Sequence, residues 1–136
     1  MQIRNYKDED FQQVDKLLKE TGVKWYSVDN RENFRKKIKQ DPESIIVAEE
    51  DGNIVGTIFV VYDPWSSFIL HLAVDENHRK KGLGGILFQI VEQRLRTRDK
   101  DFAFGFIKED NKEVLEYCKK KGYSPVNKVH FMSKRL

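Results

Sequence analysis

The sequence predicts an α/β domain organised on one mixed sheet. Two observations carry that reading. Residues 44–74 hold three β-branched, apolar stretches in succession, each closed by a turn signal, which is a meander. Residues 68–107 then run strand, glycine-rich turn, amphipathic helix and strand, which is a βαβ unit. With 136 residues the chain is long enough for a real core and is read as one domain, residues 1–136. The predicted order is β-α-α-β-β-β-α-β-α-β-β.

Each element has its own signal. Residues 2–6 alternate Ile3 and Asn5 with Arg4 and Tyr6, a short first strand. Asp8 to Asp10 supply a cap and an acidic first turn. The helix that follows carries Phe11, Val14, Leu17 and Leu18 at helical spacing, and Gly22 closes it. Residues 23–29 form a connector with two large aromatics, Trp25 and Tyr26. A second helix spans residues 30–39, with Phe34 and Ile38 on one face, and Asp41-Pro42 stops it. Residues 44–49 and 54–62 flank Asp51-Gly52-Asn53, a hairpin signal. Residues 68–74 are nearly continuous in apolar residues, as in a strand covered on both faces, and His71 is the one polar interruption. Beyond the glycine turn, Leu83, Leu87, Ile90, Val91 and Leu95 draw a core stripe. In residues 101–107, Phe102, Phe104 and Phe106 alternate with Ala103, Gly105 and Ile107, another strand. Asp110 and Glu113 make a capping box for a helix bearing Val114, Leu115 and Tyr117, ended by Lys121-Gly122. Residues 123–127 and 129–134 read as two last strands.

Composition narrows the function classes. Hydrophobic content of 39% beside 35% charged residues suits a soluble globular chain. No apolar run approaches the roughly 20 residues of a membrane helix, and the start lacks the apolar stretch of a signal peptide. One cysteine cannot form an internal disulfide, so a reducing cytoplasm is expected. The net charge of +3 is unevenly placed. Residues 78–100 carry seven Lys/Arg against two acids, and the remainder carries 18 against 20. That local basic face favours a polyphosphate ligand, or is simply a solvated helix face. No nucleic-acid reading motif is present, so no nucleic-acid partner is expected, nor a membrane.

Residues 72–91 are the stretch on which function turns. An apolar strand ends at Leu72-Ala73-Val74, a basic turn follows, and a helix begins. Gly82, Gly84 and Gly85 put no side chain between backbone and ligand. The first helical turn offers N–H groups and the positive dipole end, and Arg79, Lys80 and Lys81 add full charges. An NTPase phosphate loop is excluded, because Gly-Ile follows where Lys-Ser/Thr is needed. A dinucleotide turn fails at its third glycine, where Leu87 stands. The bland alternative is a glycine-rich loop with solvated lysines.

Arg79-x-x-Gly82-x-Gly84 after this strand resembles the acetyl-coenzyme A signature of the GNAT superfamily of N-acetyltransferases. The element order is similar to that of a single-domain GNAT fold, so the resemblance covers nearly the whole chain. It implies transfer of an acetyl group from acetyl-coenzyme A, as cosubstrate and without a metal, to a primary amine by direct attack in a ternary complex. It also implies site residues. Backbone at Leu72, Ala73 and Val74 would line the pantetheine arm. Backbone from Arg79 through Lys80, Lys81, Gly82, Leu83 and Gly84, with Gly85, would hold the pyrophosphate. Asn111 matches the family asparagine that meets the coenzyme. Where the family often has a tyrosine acid, seven residues further on, this chain has Cys118, with Tyr117 one residue earlier. Three readings stand: Cys118 supplies the proton, the thiolate leaves unassisted, or the chain only binds acyl-coenzyme A. Cys118 and Tyr117 also read simply as packing residues. The family's common strand glutamate is replaced by Phe68, which leaves His71 as the nearest titratable group. An imidazole of ordinary pKa near 6.5 suits base work, although a histidine in an apolar strand is also an ordinary core residue. Trp25, Tyr26, Tyr62 and Trp65 are candidates for the acceptor pocket, or caps on the core. Protein N-terminal and small-amine acceptors both remain open, as does a homodimer through the last strand.

Overall fold

Five strands make one sheet in the computed structural model, which describes residues 1–136. They are β1 (Gln2–Asn5), β2 (Ile45–Glu50), β3 (Asn53–Tyr62), β4 (Ser67–Val74) and β5 (Phe104–Gly105), in that spatial order. The first four pair antiparallel, and β5 runs parallel to β4. The helices are α1 (Phe11–Glu20), α2 (Arg31–Gln40), α3 (Leu83–Thr97) and α4 (Lys112–Lys120), with 3-10 turns at Asp8–Asp10 and Glu76–His78. The chain divides into two compact units, Met1–Phe106 and Ile107–Leu136. No helix is long and apolar enough to cross a membrane.

In the first unit, local chemistry sets each boundary. Asp51 and Gly52 both take positive φ, 50° and 79°, which joins β2 to β3 by a two-residue turn of the hairpin type. Asn30 caps α2 by accepting the Asn33 N–H at 2.9 Å, and α2 stops at Asp41 ahead of Pro42. The Gly22 and Val23 N–H groups close α1 on the Lys19 and Leu18 carbonyls. Asp10 stands at the N-cap of α1 without a side-chain cap bond: its carboxylate accepts the Lys7 N–H and both terminal nitrogens of Arg4, which also pairs with Glu49. One buried carboxylate thus ties the entry of α1 to the first strand, and these partners hold it below the usual carboxylate range despite burial.

The sheet is covered on both faces. Val14, Leu17, Leu18 and Phe34 from α1 and α2 pack with Val47, Phe59 and Ala73. On the other face Leu83 and Leu87 of α3 close over Gly56, where a Cβ would lie 3.2 and 3.3 Å from their methyl groups. Gly56 is therefore what lets α3 sit close to β3.

Three expectations need correction. The strand expected over residues 101–107 pairs only at Phe104 and Gly105, because the β4–β5 ladder stops there. In the second unit α4 is capped by Asn111, which accepts the Val114 N–H, and not by an Asp110–Glu113 box. Asn111 stands the right three residues before Val114, so the helix starts one residue later than expected. The strands expected at 123–127 and 129–134 are not formed. Alternation specifies a strand only where a ladder and a buried face exist, and Val126, Val129, Phe131 and Met132 are exposed. Gly122, at φ 91°, closes α4, with its N–H on Lys119 and that of Tyr123 on Cys118.

Leu18 is fully buried between α1 and the sheet. Leu18→Ala is expected to lower unfolding stability by about 2–5 kcal/mol, read from urea denaturation, with an unchanged m-value.

Candidate active site

β4 carries one residue more than β3 where they pair. Thr57 faces Ala73 and Phe59 faces Leu70, so His71 and Leu72 together oppose Ile58. This is a β-bulge, and His71 takes φ 52° to form it. A non-glycine residue in that region carries strain of about 1–3 kcal/mol. On the other side of β4 the ladder to β5 covers only Phe68 and Ile69. From Leu70 to Val74 that edge has no ladder partner. The bulge and the end of pairing lie next to each other, and the backbone of Leu72, Ala73 and Val74 has no ladder partner on the β5 side.

His71 is held on three sides. Its Nε2 lies 2.6 Å from Oδ2 of Asp29, and the two side chains are only 4% and 7% exposed. The same Oδ2 accepts the Trp25 N–H at 2.6 Å. The Trp25 ring meets the imidazole edge-on at 4.7 Å, and Phe59 lies against it at 4.9 Å. Asp29 and Trp25 belong to the connector between α1 and α2. That connector is folded by the Val28 and Asp29 N–H groups, both donating to the Trp25 carbonyl.

After β4 the chain turns through Asp75 and the Glu76–His78 turn. The exposed Arg79 returns its Nε to the Val74 carbonyl at 3.1 Å. Lys80 and Gly82 take φ 58° and 84°, and Gly82 is the N-cap of α3. The first α3 bond runs from Ile86 N–H to Gly82, so the N–H groups of Leu83, Gly84 and Gly85 precede the helical ladder. A Cβ on Gly84 would meet Leu72 and Val74 at 3.7 and 4.0 Å, ordinary contact distances. The fold therefore brings turn and strand together, yet its packing does not demand glycine at 84. Lys80 and Lys81 are exposed beside this turn.

His78 braces the loop. Nδ1 lies 2.8 Å from Asp75 and Nε2 lies 2.7 Å from Glu50 at the end of β2. Asp75 first, and Glu50 next, raise its pKa above the ordinary 6.5. Both carboxylates are lowered by the same bonds.

The other expected residues divide. Tyr62 pairs with Ser67, four positions and about 13 Å along β4 from His71. Its ring lies under the Arg98 guanidinium at 3.6 Å and its hydroxyl donates to the Glu43 carbonyl, so it is bound into the base of α3. Trp65 is 87% exposed at the β3–β4 turn. Tyr26 is exposed next to Trp25, and Lys24 sits over its ring. In the second unit, Asn111 spends its side-chain oxygen on the α4 cap, Cys118 is buried and in no disulfide, and Tyr117 is half-buried. Sequence reading missed Asp29 and His78. Asp29 looks like a turn residue ahead of a cap, and nothing local shows a partner 42 residues away.

The family model for the acetyltransferase (GNAT) family matches residues 11–123. An acetyltransferase of Photorhabdus laumondii is 29% identical over all of this chain and 96% of its own length. The fold is similar to that of Naa20 from Chaetomium thermophilum, solved with a bisubstrate analogue, at TM-score 0.82 and 22% identity over 91% of this chain and 71% of that one. It is also similar to the PaiA N-acetyltransferase of Thermoplasma acidophilum in complex with coenzyme A, at TM-score 0.77 and 15% identity over 88% and 87%.

The His78 brace has a pH signature. Its folded pKa is raised, so the contribution to stability is fully present below the ordinary value of 6.5 and is lost as pH rises through the raised value. The stability difference between wild type and His78→Gln is expected to be largest below the ordinary value of 6.5 and to shrink as pH rises through the raised one. Urea midpoints across that range measure it, and a pH-independent difference would show that His78 acts by packing.

Proposed function

The chain belongs to the acetyltransferase (GNAT) family, and we propose on that premise that it transfers an acetyl group from acetyl-coenzyme A to a primary amine. The observation that carries this reading is the coincidence of two features on one strand. β4 loses its β5 partner over Leu70–Val74, and the glycine turn at the start of α3 follows directly. The open strand edge suits the amide-bearing pantetheine arm. The α3 N–H groups, the helix dipole and the exposed Arg79, Lys80 and Lys81 suit the pyrophosphate. A glycine at 84 that packing does not require keeps the backbone accessible to that ligand.

His71 serves as the general base. The neutral amine nitrogen forms the C–N bond to the thioester carbonyl carbon, and the C–S bond breaks with its electron pair on sulfur. His71 takes the nitrogen's proton, which passes to the thiolate or solvent. A thiol of ordinary pKa near 8.5 leaves as thiolate without prior protonation, so no side-chain acid is required of Cys118 or Tyr117. The acceptor follows from proton cost. A lysine amine near pKa 10.4 costs about 4.6 kcal/mol to deprotonate at pH 7, whereas an α-amino group near 7.8 costs about 1 kcal/mol. The smaller proton cost makes a low-pKa amine the better match, as an N-terminus or a small metabolite amine. The cytoplasm is the expected compartment.

Calorimetric titration with acetyl-coenzyme A and with NAD, followed by thiol release with alaninamide, a short peptide with a free N-terminus and putrescine, tests the reading. Micromolar binding of acetyl-coenzyme A alone and faster turnover of the α-amino probes are expected. Binding without turnover would favour an acyl-coenzyme A binding module, and binding of neither would remove the reading. Gly84→Asp is expected to keep the fold, since acid suits a helix N-terminus, and to weaken acetyl-coenzyme A binding by at least about tenfold.

A further inference from the structure

We propose that Asp29 is the positioning residue for His71, so that the base of the transfer is assembled from a strand residue and a connector residue. The proposal rests on the reading of His71 as general base. Its own ground is the geometry of the pair. A carboxylate only accepts hydrogen bonds, so the ring nitrogen facing it, Nε2, carries the hydrogen. That places the basic lone pair on Nδ1. The ring plane is set independently by Trp25, nearly perpendicular to it at 84°, and by Phe59, tilted 31° from it. One tautomer and one orientation are thereby selected before any acceptor arrives.

A purely structural role explains these features less well. A buried histidine–carboxylate pair offers little stability over apolar side chains of the same volume. This one also sits on a strained backbone, with His71 at φ 52°. Strain of that kind persists where the surroundings enforce it, and it clusters at working sites. Here it lies at the bulge beside the opened edge of β4.

The connector gives the arrangement a consequence for acceptor binding. The same Asp29 oxygen that faces His71 accepts the Trp25 N–H, and the Asp29 N–H returns to the Trp25 carbonyl at 2.8 Å. Residues 25–29 are therefore folded around the carboxylate. Contacts made by an acceptor to Tyr26 or Trp25 act on the segment that holds the base. When His71 accepts the amine proton on Nδ1, the imidazolium so formed stays paired with Asp29. Release of that proton to the thiolate or solvent restores the starting tautomer.

The test combines kinetics with an imidazole signature. Wild type, Asp29→Asn, Asp29→Glu and His71→Gln are compared for acetyl-coenzyme A affinity, kcat and KM for the fastest α-amino probe across pH. The His71 tautomer is read by ¹H–¹⁵N correlation of the imidazole in the full-length protein. Expected are a single Nε2–H tautomer in wild type, and loss of that single tautomer in Asp29→Asn. In the same variant kcat falls at least about 100-fold, with acetyl-coenzyme A affinity within about twofold. Asp29→Glu recovers part of kcat. An active wild type with an equally active Asp29→Asn overturns the proposal, and so does an Nδ1–H tautomer in wild type, a reading that needs no variant to fold. Failure of the underlying function looks different: wild type itself turns over no amine.

Discussion

The extra residue that β4 inserts opposite Ile58 is the constraint on which the rest of the structure depends. A strand that gains a residue bends, and its ladder is locally disrupted. β4 keeps β3, to which it is paired along most of its length, and loses β5 after Ile69. His71 absorbs the backbone cost. In doing so its ring is brought against Phe59 and under the connector. An opened strand edge on one side and an oriented imidazole on the other thus arise from a single distortion.

Electrostatics is divided between two places that do not compete. The glycine turn collects exposed positive charge and helical N–H groups, and His78 braces it to β2 through Asp75 and Glu50. The connector side holds one buried carboxylate with two donors, the His71 ring and the Trp25 N–H. An anionic ligand at the turn and a protonatable base beneath the connector are compatible because different elements carry them.

Most of the element boundaries were legible in the sequence because local chemistry sets them. Asp51-Gly52 specifies a tight hairpin, Gly22 and Gly122 left-handed helix ends, and Gly82 the turn into α3. The strand signals after residue 100 misled for the opposite reason. Alternating Phe102, Phe104 and Phe106 imply a long strand, yet a strand's length is set by its neighbour, and β4 has already turned away. The expected capping box at Asp110 failed because Asn111 competes for the same role one residue later.

By itself the sequence determined the helices and the first four strands of the first unit, the glycine turn and its place after an apolar strand. These depend on spacing and turn conformation within a few residues of one another. Only the tertiary structure decided that His71 sits at a bulge, that Asp29 faces it, and that Tyr62 lies against Arg98. Those facts join positions tens of residues apart, and no local pattern records which side chains the folding of a sheet will bring into contact.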